Sequence, residues 1–154
     1  MVNYVDQFSS FTFDRIFPPE ATHQDIFDYS IYETVQDVLQ GYNGTISAYG
    51  QTGSGKTYTM MGKSIDDAEQ RGLIPRIADT IFDLIMLSSS DIEYTVGVSY
   101  MEIYMEKIRD LLDDSGNSTN LHIHEDKENG VHVKGLSRVY VTSPDELHNF
   151  MKQG

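Results

Sequence analysis

The stretch from Gly50 to Thr57, Gly-Gln-Thr-Gly-Ser-Gly-Lys-Thr, fits the spacing G-x-x-x-x-G-K-[ST] and constrains this chain more than any other part of it. Glycines at 50, 53 and 55 permit a tight loop whose backbone N–H groups converge on phosphate oxygens. Lys56 then supplies a point charge for the terminal phosphates. The hydroxyl of Thr57 suits one coordination position on a Mg²⁺ ion that keeps several waters, and the helix that follows turns its partially positive end toward the anion. A plain Gly/Ser turn requires neither three spaced glycines nor Lys-Thr directly after them, so phosphate binding is the favoured reading.

Such a loop needs a strand running in and a helix running out. Thr45-Ile46-Ser47-Ala48-Tyr49 is short, uncharged and partly β-branched, which predicts a strand buried in the middle of a sheet. Thr57 to Met61 predicts the helix, with Gly62 as its stop.

A chain of 154 residues can bury a real core, and one domain is expected. The balance of 11 Lys and Arg against 24 Asp and Glu leaves a net charge of −13, which argues against a nucleic-acid partner held by a general basic surface. Without cysteine there are no disulfides or thiolate metal sites, a usage compatible with a reducing compartment. The opening residues Met-Val-Asn-Tyr-Val-Asp-Gln-Phe lack a basic segment and an apolar core, and no run is long enough to cross a bilayer. A soluble intracellular protein is the expectation.

Ahead of the loop, Phe11-Thr-Phe-Asp-Arg-Ile-Phe17 alternates and predicts a strand with core aromatics, stopped by Pro18-Pro19. Thr22 is placed to cap a helix with Asp25 in its first turn. Ile26, Phe27, Ile31, Val35, Val38 and Leu39 continue that helix to Gly41, and Asn43-Gly44 predicts a turn. After Gly62 a polar loop with Asp66, Asp67 and Glu69 runs to Gly72. Helix then resumes after Pro75 with Ile77, Ile81, Leu84 and Ile85 as its buried stripe, ending at Ser88-Ser89-Ser90.

Glu93 to Tyr104 predicts one long strand. Glu102 and Glu106 share a strand face but lie too far apart to share a proton, so they form a solvated or ion-paired face. Ile108 to Asp114 predicts a short helical turn and Ser115 to Asn120 a loop. Short strands follow around Leu121–His124, Val131–Lys134 and Arg138–Thr142, with Asn129-Gly130 as a hairpin turn. His122 and His124 share a face, but no third metal ligand stands at useful spacing, which favours hydrogen-bonded or surface histidines. Lys127, Lys134 and Arg138 gather positive charge, and Ser143-Pro144-Asp145-Glu146 is a capped helix start. The alternation of strands and helices predicts an α/β sandwich with its ligand at the carboxyl ends of the strands.

Phe13-Asp14-Arg15-Ile16-Phe17, Gly41-Tyr42-Asn43-Gly44-Thr45, Ala48 through Gly62, Gly72-Leu73-Ile74-Pro75-Arg76, and Ser99 through Tyr104 with Ile108 through Leu112 recur in an order that resembles a kinesin motor domain. His124-Glu125-Asp126-Lys127 with Val133-Lys134-Gly135-Leu136 is similar to conventional kinesin heavy chains of fungal type. The resemblance implies an α/β P-loop NTPase sandwich with a mixed central sheet flanked by helices. It also implies a microtubule-stimulated ATPase that moves toward the microtubule plus end in the cytoplasm, as a homodimer joined by a coiled coil outside this segment.

By the same resemblance Gly50, Gln51, Thr52, Gly53, Ser54, Gly55, Lys56 and Thr57 hold the ATP or ADP phosphates, with Thr57 on Mg²⁺ and Tyr58 against adenine. Lys107, His124, Lys127 and Lys134 contact tubulin, while Asn129 stands where some relatives carry a basic residue. A basic patch can bind the acidic microtubule against the sign of the whole molecule, because charges beyond about 8 Å are screened at physiological salt.

The family's first strand with its Arg-x-Arg-Pro motif is absent here. So are the switch segments Asn-x-x-Ser-Ser-Arg-Ser-His and Asp-Leu-Ala-Gly-Ser-Glu. The expectation is therefore the N-terminal part of a motor domain, 1–154. It has the phosphate cradle and an open sheet edge, and binds nucleotide or tubulin without turning ATP over by itself.

Overall fold

The computed structural model describes residues 11–113, 115 and 119–153. Its first regular element begins where Thr22 caps a helix: Thr22 Oγ1 accepts from the Asp25 amide at 3.1 Å, and the Asp25 carboxylate accepts from the Thr22 amide at 2.7 Å. The bonds from Thr22 hold the Asp25 carboxyl below the ordinary carboxylate range. The single helix expected from this cap is two, α1 (His23–Ser30) and α2 (Tyr32–Leu39). At the join, Ser30 Oγ donates to the Ile26 carbonyl at 2.7 Å, a competing bond of the kind that bends helices. The rod bends without being cut, because the Ile31 amide still reaches the Phe27 carbonyl at 2.9 Å and the Val35 amide the Ile31 carbonyl at 3.0 Å.

The turn expected at Asn43-Gly44 falls instead at Gln40-Gly41, where Gly41 has a φ of 97°. Gly44 serves close packing, since a Cβ there would lie 2.7 Å from Thr34 Cγ2.

Phe27, Ile31 and Val35 bury themselves against Leu73, with Ile26, Ile46, Met60, Ile77, Ile81 and Leu84 packed around them. Leu73 opens α4 (Leu73–Leu87), so Pro75 is buried within the first turn as its fixed φ favours, and Ser88 closes the helix. Before α4, the short α3 (Lys56–Met61) ends at Gly62, φ 82°, and the polar loop to Gly72 returns so tightly that the Gly72 amide donates to the Met61 carbonyl at 3.0 Å. A Cβ on Gly62 would stand 2.1 Å from the Gln70 carbonyl oxygen, so the crossing admits only glycine.

Two predicted strands are not formed. Residues 11–17 take no strand pairing, and Phe11 and Phe13 are 74% and 66% exposed, so these rings are not core. Their segment is anchored differently: Phe17 meets the Tyr29 ring edge-on at 5.8 Å, and the Arg15 guanidinium lies over both. Residues 45–49 are likewise unpaired, and the strand predicted to be buried on both faces buries only one: Ile46 and Ala48 face inward while Tyr49 is 100% exposed. A strand is defined by the neighbour it bonds to, which local propensity cannot supply.

The expected long strand 93–104 breaks into β1 (Val96–Val98) and β2 (Met101–Tyr104), which belong to different sheets. β1 pairs antiparallel with β6 (Val139–Val141). β2 turns back through Met105-Glu106 into β3 (Lys107–Asp110), where a helical turn was predicted from Ile108. Met105 and Glu106 both hold positive φ, 49° and 61°, as a two-residue hairpin turn requires, yet neither is the Gly or Asn that marks such turns. Glu102 pairs with Arg109 across this hairpin at 3.0 Å, whereas Glu106 sits in the turn and so shares no strand face with it.

β3 continues antiparallel to β4 (Thr119–Asp126) and β4 to β5 (Gly130–Lys134). Of the loop expected over 115–120, Thr119 and Asn120 belong to β4 and 116–118 lie outside the described residues. The β4–β5 turn takes in Lys127, Glu128 and Asn129, with Gly130 at φ 63°. Asp126 holds it by accepting from the Asn129 amide at 2.6 Å and the Glu128 amide at 3.0 Å, bonds that keep its carboxyl below the usual range. Finally α5 (Pro144–Gln153) starts at Ser143, whose Oγ accepts from the Glu146 amide at 3.3 Å. It lies against α4, with buried His148 Nε2 3.3 Å from Asp79.

The two β units meet at Asp110, a buried carboxylate that accepts from the Leu112 amide at 2.9 Å and the Ser137 amide at 2.7 Å. Burial pushes its carboxyl up, but the hydroxyl and amide of Ser137 and the amide of Leu112 outweigh it and leave the group below its ordinary value. A lowered folded value means stability present above the unfolded value and lost as pH falls through the folded one. Asp110→Asn in the intact motor domain is expected to cost about 1–3 kcal/mol at neutral pH by urea unfolding. The gap from wild type should narrow as pH is taken below about 4.

Candidate nucleotide-binding site

The extended segment 45–48 delivers the chain to Gly50 along a groove of about 350 Å³ whose far wall includes Ile26, Thr59, Met60 and Leu73. From there the loop closes on itself. Ser54 donates its amide to the Gln51 carbonyl at 3.2 Å, and Gly53 and Gly55 take the left-handed φ values of 81° and 93°. A Cβ at either would meet nothing within 4 Å, so glycine is needed there for backbone angle alone. At Gly50 the reason is room, because a Cβ would fall 2.4 Å from Ser54 Oγ.

Lys56 Nζ donates to the Gly50 carbonyl at 2.9 Å and the Gln51 carbonyl at 2.8 Å. The ammonium thereby bridges the mouth of the loop from the first residue of α3. Thr57 follows it, exposed, with its hydroxyl unpartnered among the described residues. Gln51, Thr52, Gly53 and Ser54 are exposed around this mouth.

These residues fit a magnesium-bound polyphosphate. The two carbonyls now holding Lys56 are oxygen acceptors of the kind phosphate oxygens replace, and the Thr57 hydroxyl is free to coordinate a hard cation. A cavity of about 570 Å³ between the end of α4, β1 and β6 is lined by Phe82, Ile85, Val96 and Val141 and offers no cation to a phosphate.

Tyr58 presents an exposed ring beside the loop, and its support is a residue that the sequence reading passed over. His23, only 7% exposed, places Nε2 2.8 Å from the Tyr58 carbonyl and its ring 4.7 Å from the Tyr58 ring. Nothing in the sequence separates His23 from an ordinary first-turn residue; only the packing of α1 on α3 selects it.

The other predicted contacts do not gather at this loop. Lys107 opens β3 opposite Tyr104, His124 lies in β4 opposite His132, Lys127 sits in the β4–β5 turn, and Lys134 ends β5 opposite His122. They share the four-stranded sheet of β2 to β5. Asn129 Nδ2 donates to Asp126 at 3.1 Å and so braces the turn.

A glycine loop closed by lysine at the start of a helix, set beside antiparallel sheets and packed helices, defines a phosphate-loop domain of the α/β class. The kinesin motor domain matches residues 2–154, and the chain belongs to that family. It is 60% identical over 145 residues to the kinesin heavy chain of Syncephalastrum racemosum and 59% identical over 145 residues to that of Neurospora crassa. Over 150 residues it is 47% identical to human kinesin heavy chain isoform 5C. Each match takes in 94–97% of this chain and 15% of the relative. A solved structure of a fast kinesin superposes with a TM-score of 0.89 at 58% identity, over 94% of this chain and 40% of that one. The α/β fold expected from the sequence is thus that of a kinesin motor, of which this chain spans a part.

His23→Ala removes a buried hydrogen bond and leaves the Tyr58 carbonyl without that partner, with an expected loss of about 1–3 kcal/mol in the intact motor domain. Tyr58→Phe, which keeps ring and carbonyl, should stay within about 0.5 kcal/mol of wild type by thermal unfolding.

Proposed function

We propose that this chain is the ATP-binding part of a cytoplasmic, microtubule-based motor, whose parent protein couples ATP hydrolysis to movement along microtubules as a homodimer. The observation that carries the reading is the closure of the Gly50–Thr57 loop by the Lys56 ammonium. Family membership over residues 2–154 supports the microtubule partner.

In this reading the amides of Gly50 through Lys56 surround the terminal phosphates, and Lys56 exchanges its bonds to Gly50 and Gln51 for phosphate oxygens. Thr57 gives its hydroxyl to Mg²⁺, which when bound neutralises developing phosphate charge. Tyr58 lays its exposed ring beside the adenine. Lys107, His124, Lys127 and Lys134 face the microtubule from the β2–β5 sheet. The acidic whole repels an acidic partner weakly, since charges more than about 8 Å from the contact are screened at physiological salt.

Lys56→Ala in the intact motor is expected to reduce microtubule-stimulated ATP turnover at least about 100-fold, as loss of one preorganised charge on a transferring phosphoryl group does. Steady-state turnover with and without microtubules is the measurement. Equal wild-type rates under the two conditions would sink the motor reading, and an undiminished Lys56→Ala rate would remove the loop from the chemistry.

A further inference from the structure

The first turn of α1 reaches two other helices. Thr22 and Asp25 close that turn by reciprocal hydrogen bonds, which fixes the backbone beneath the two residues between them. Gln24 Nε2 donates to Asp28 at 2.7 Å, and the Gln24 oxygen accepts from Arg76 of α4. Arg76 also donates to the Ala68 carbonyl at 2.8 Å and the Arg71 carbonyl at 3.2 Å, so the turn is tied to the start of α4. His23, the neighbour of Gln24, turns to α3 instead.

On α3 the imidazole makes two contacts with one residue. The Tyr58 carbonyl can only accept, so His23 Nε2, 2.8 Å away, carries a proton. The His23 ring centroid stands 4.7 Å from that of Tyr58, with the two planes inclined at 55°. Within a helix a tyrosine side chain has two accessible χ1 wells, and a buried ring packed against it selects between them. The Tyr58 ring is still 59% exposed, so this brace leaves much of it open to a second flat group. Tyr58 directly follows Lys56 and Thr57, and a fixed direction for its ring is a fixed direction beside the mouth of the loop.

We infer that His23 is a positioning residue for the base end of the nucleotide: by bracing the Tyr58 ring it lets the base add to the affinity that the glycine loop gives the phosphates. The inference rests on the nucleotide reading given above. A base stacked on an aromatic ring strengthens binding, and a ring already held in the binding orientation loses less rotamer freedom when the base arrives. Removing the brace therefore weakens the base-dependent part of binding. The phosphate-dependent part belongs to the loop, where Lys56 is held by the Gly50 and Gln51 carbonyls.

The test is calorimetric titration of the intact motor domain, stripped of nucleotide, with magnesium ADP and separately with magnesium pyrophosphate, which keeps two phosphates and lacks base and ribose. The quantity read is the ratio of the two dissociation constants. His23→Gln keeps a donor for the Tyr58 carbonyl and loses the ring. It should bind ADP about fivefold more weakly, the scale of one side chain ordered on binding, and pyrophosphate as wild type does. His23→Phe keeps a ring and loses the donor, and its ratio should stay within about twofold of wild type. In a Tyr58→Ala background, His23→Gln should leave the ratio unchanged, because the two residues act through one contact. A His23→Gln protein that weakens both ligands equally, or neither, overturns the inference and leaves the nucleotide reading intact. So does a His23→Phe ratio that falls as far as that of His23→Gln. A Tyr58→Ala ratio equal to wild type removes the ring from the base and overturns that part of the reading with the inference. Failure of wild type to bind either ligand overturns the nucleotide reading and the inference together.

Discussion

A helix as short as α3, Lys56–Met61, does not hold itself in water, because fixing its first turn costs more than so few hydrogen bonds return. The presentation of Lys56 and Thr57 depends on what pins that helix. Three contacts do so: the backbone crossing at Gly62 and Gly72, the His23 ring on the Tyr58 carbonyl, and Met60 against the Phe27–Leu73 core. The crossing matters most, since it joins the end of α3 to the start of α4 by direct amide contact and leaves no room for a side chain. Through it the phosphate loop inherits the rigidity of the long helix α4.

The polar loop between those glycines is tied down as well. Arg71 pairs with Asp79 of α4, Asp79 also faces His148 of α5, and Lys152 of α5 reaches Asp66 within the loop. A segment that reads as a polar loop is therefore an ion-paired strap between two helices. Asp66 is held below the usual carboxylate range by its bond to Lys152. An exposed pair such as Lys152–Asp66 contributes little stability singly, and its effect here is to hold the loop beyond the Gly62 end of α3 against α5.

Charge is divided unevenly between the two halves of the described structure. The helical half holds the Lys56 ammonium on the Gly50 and Gln51 carbonyls at the mouth of the glycine loop. The sheet half presents lysines and imidazoles interleaved with carboxylates. A chain of net charge −13 can thus hold local clusters of cations, because carboxylates beyond about a screening length act on them only weakly.

Residue order alone determined the features that follow from local covalent and capping chemistry. The phosphate loop, the Thr22 and Ser143 caps, the Gly62 stop, the placement of Pro75 in a first turn and the family resemblance were all legible there, because glycine, proline and capping hydroxyls act within a few residues. Tertiary structure decided the pairings. The 93–104 strand splits between two sheets, and Lys107–Asp110 becomes a strand through a turn of Met105 and Glu106 that carries no turn signal. Residues 11–17 and 45–49 have strand composition but no paired neighbour. His23 and Asp110 acquire roles only from residues far along the chain, since hydrogen-bond partners and cross-strand register are properties of packing that no local window contains.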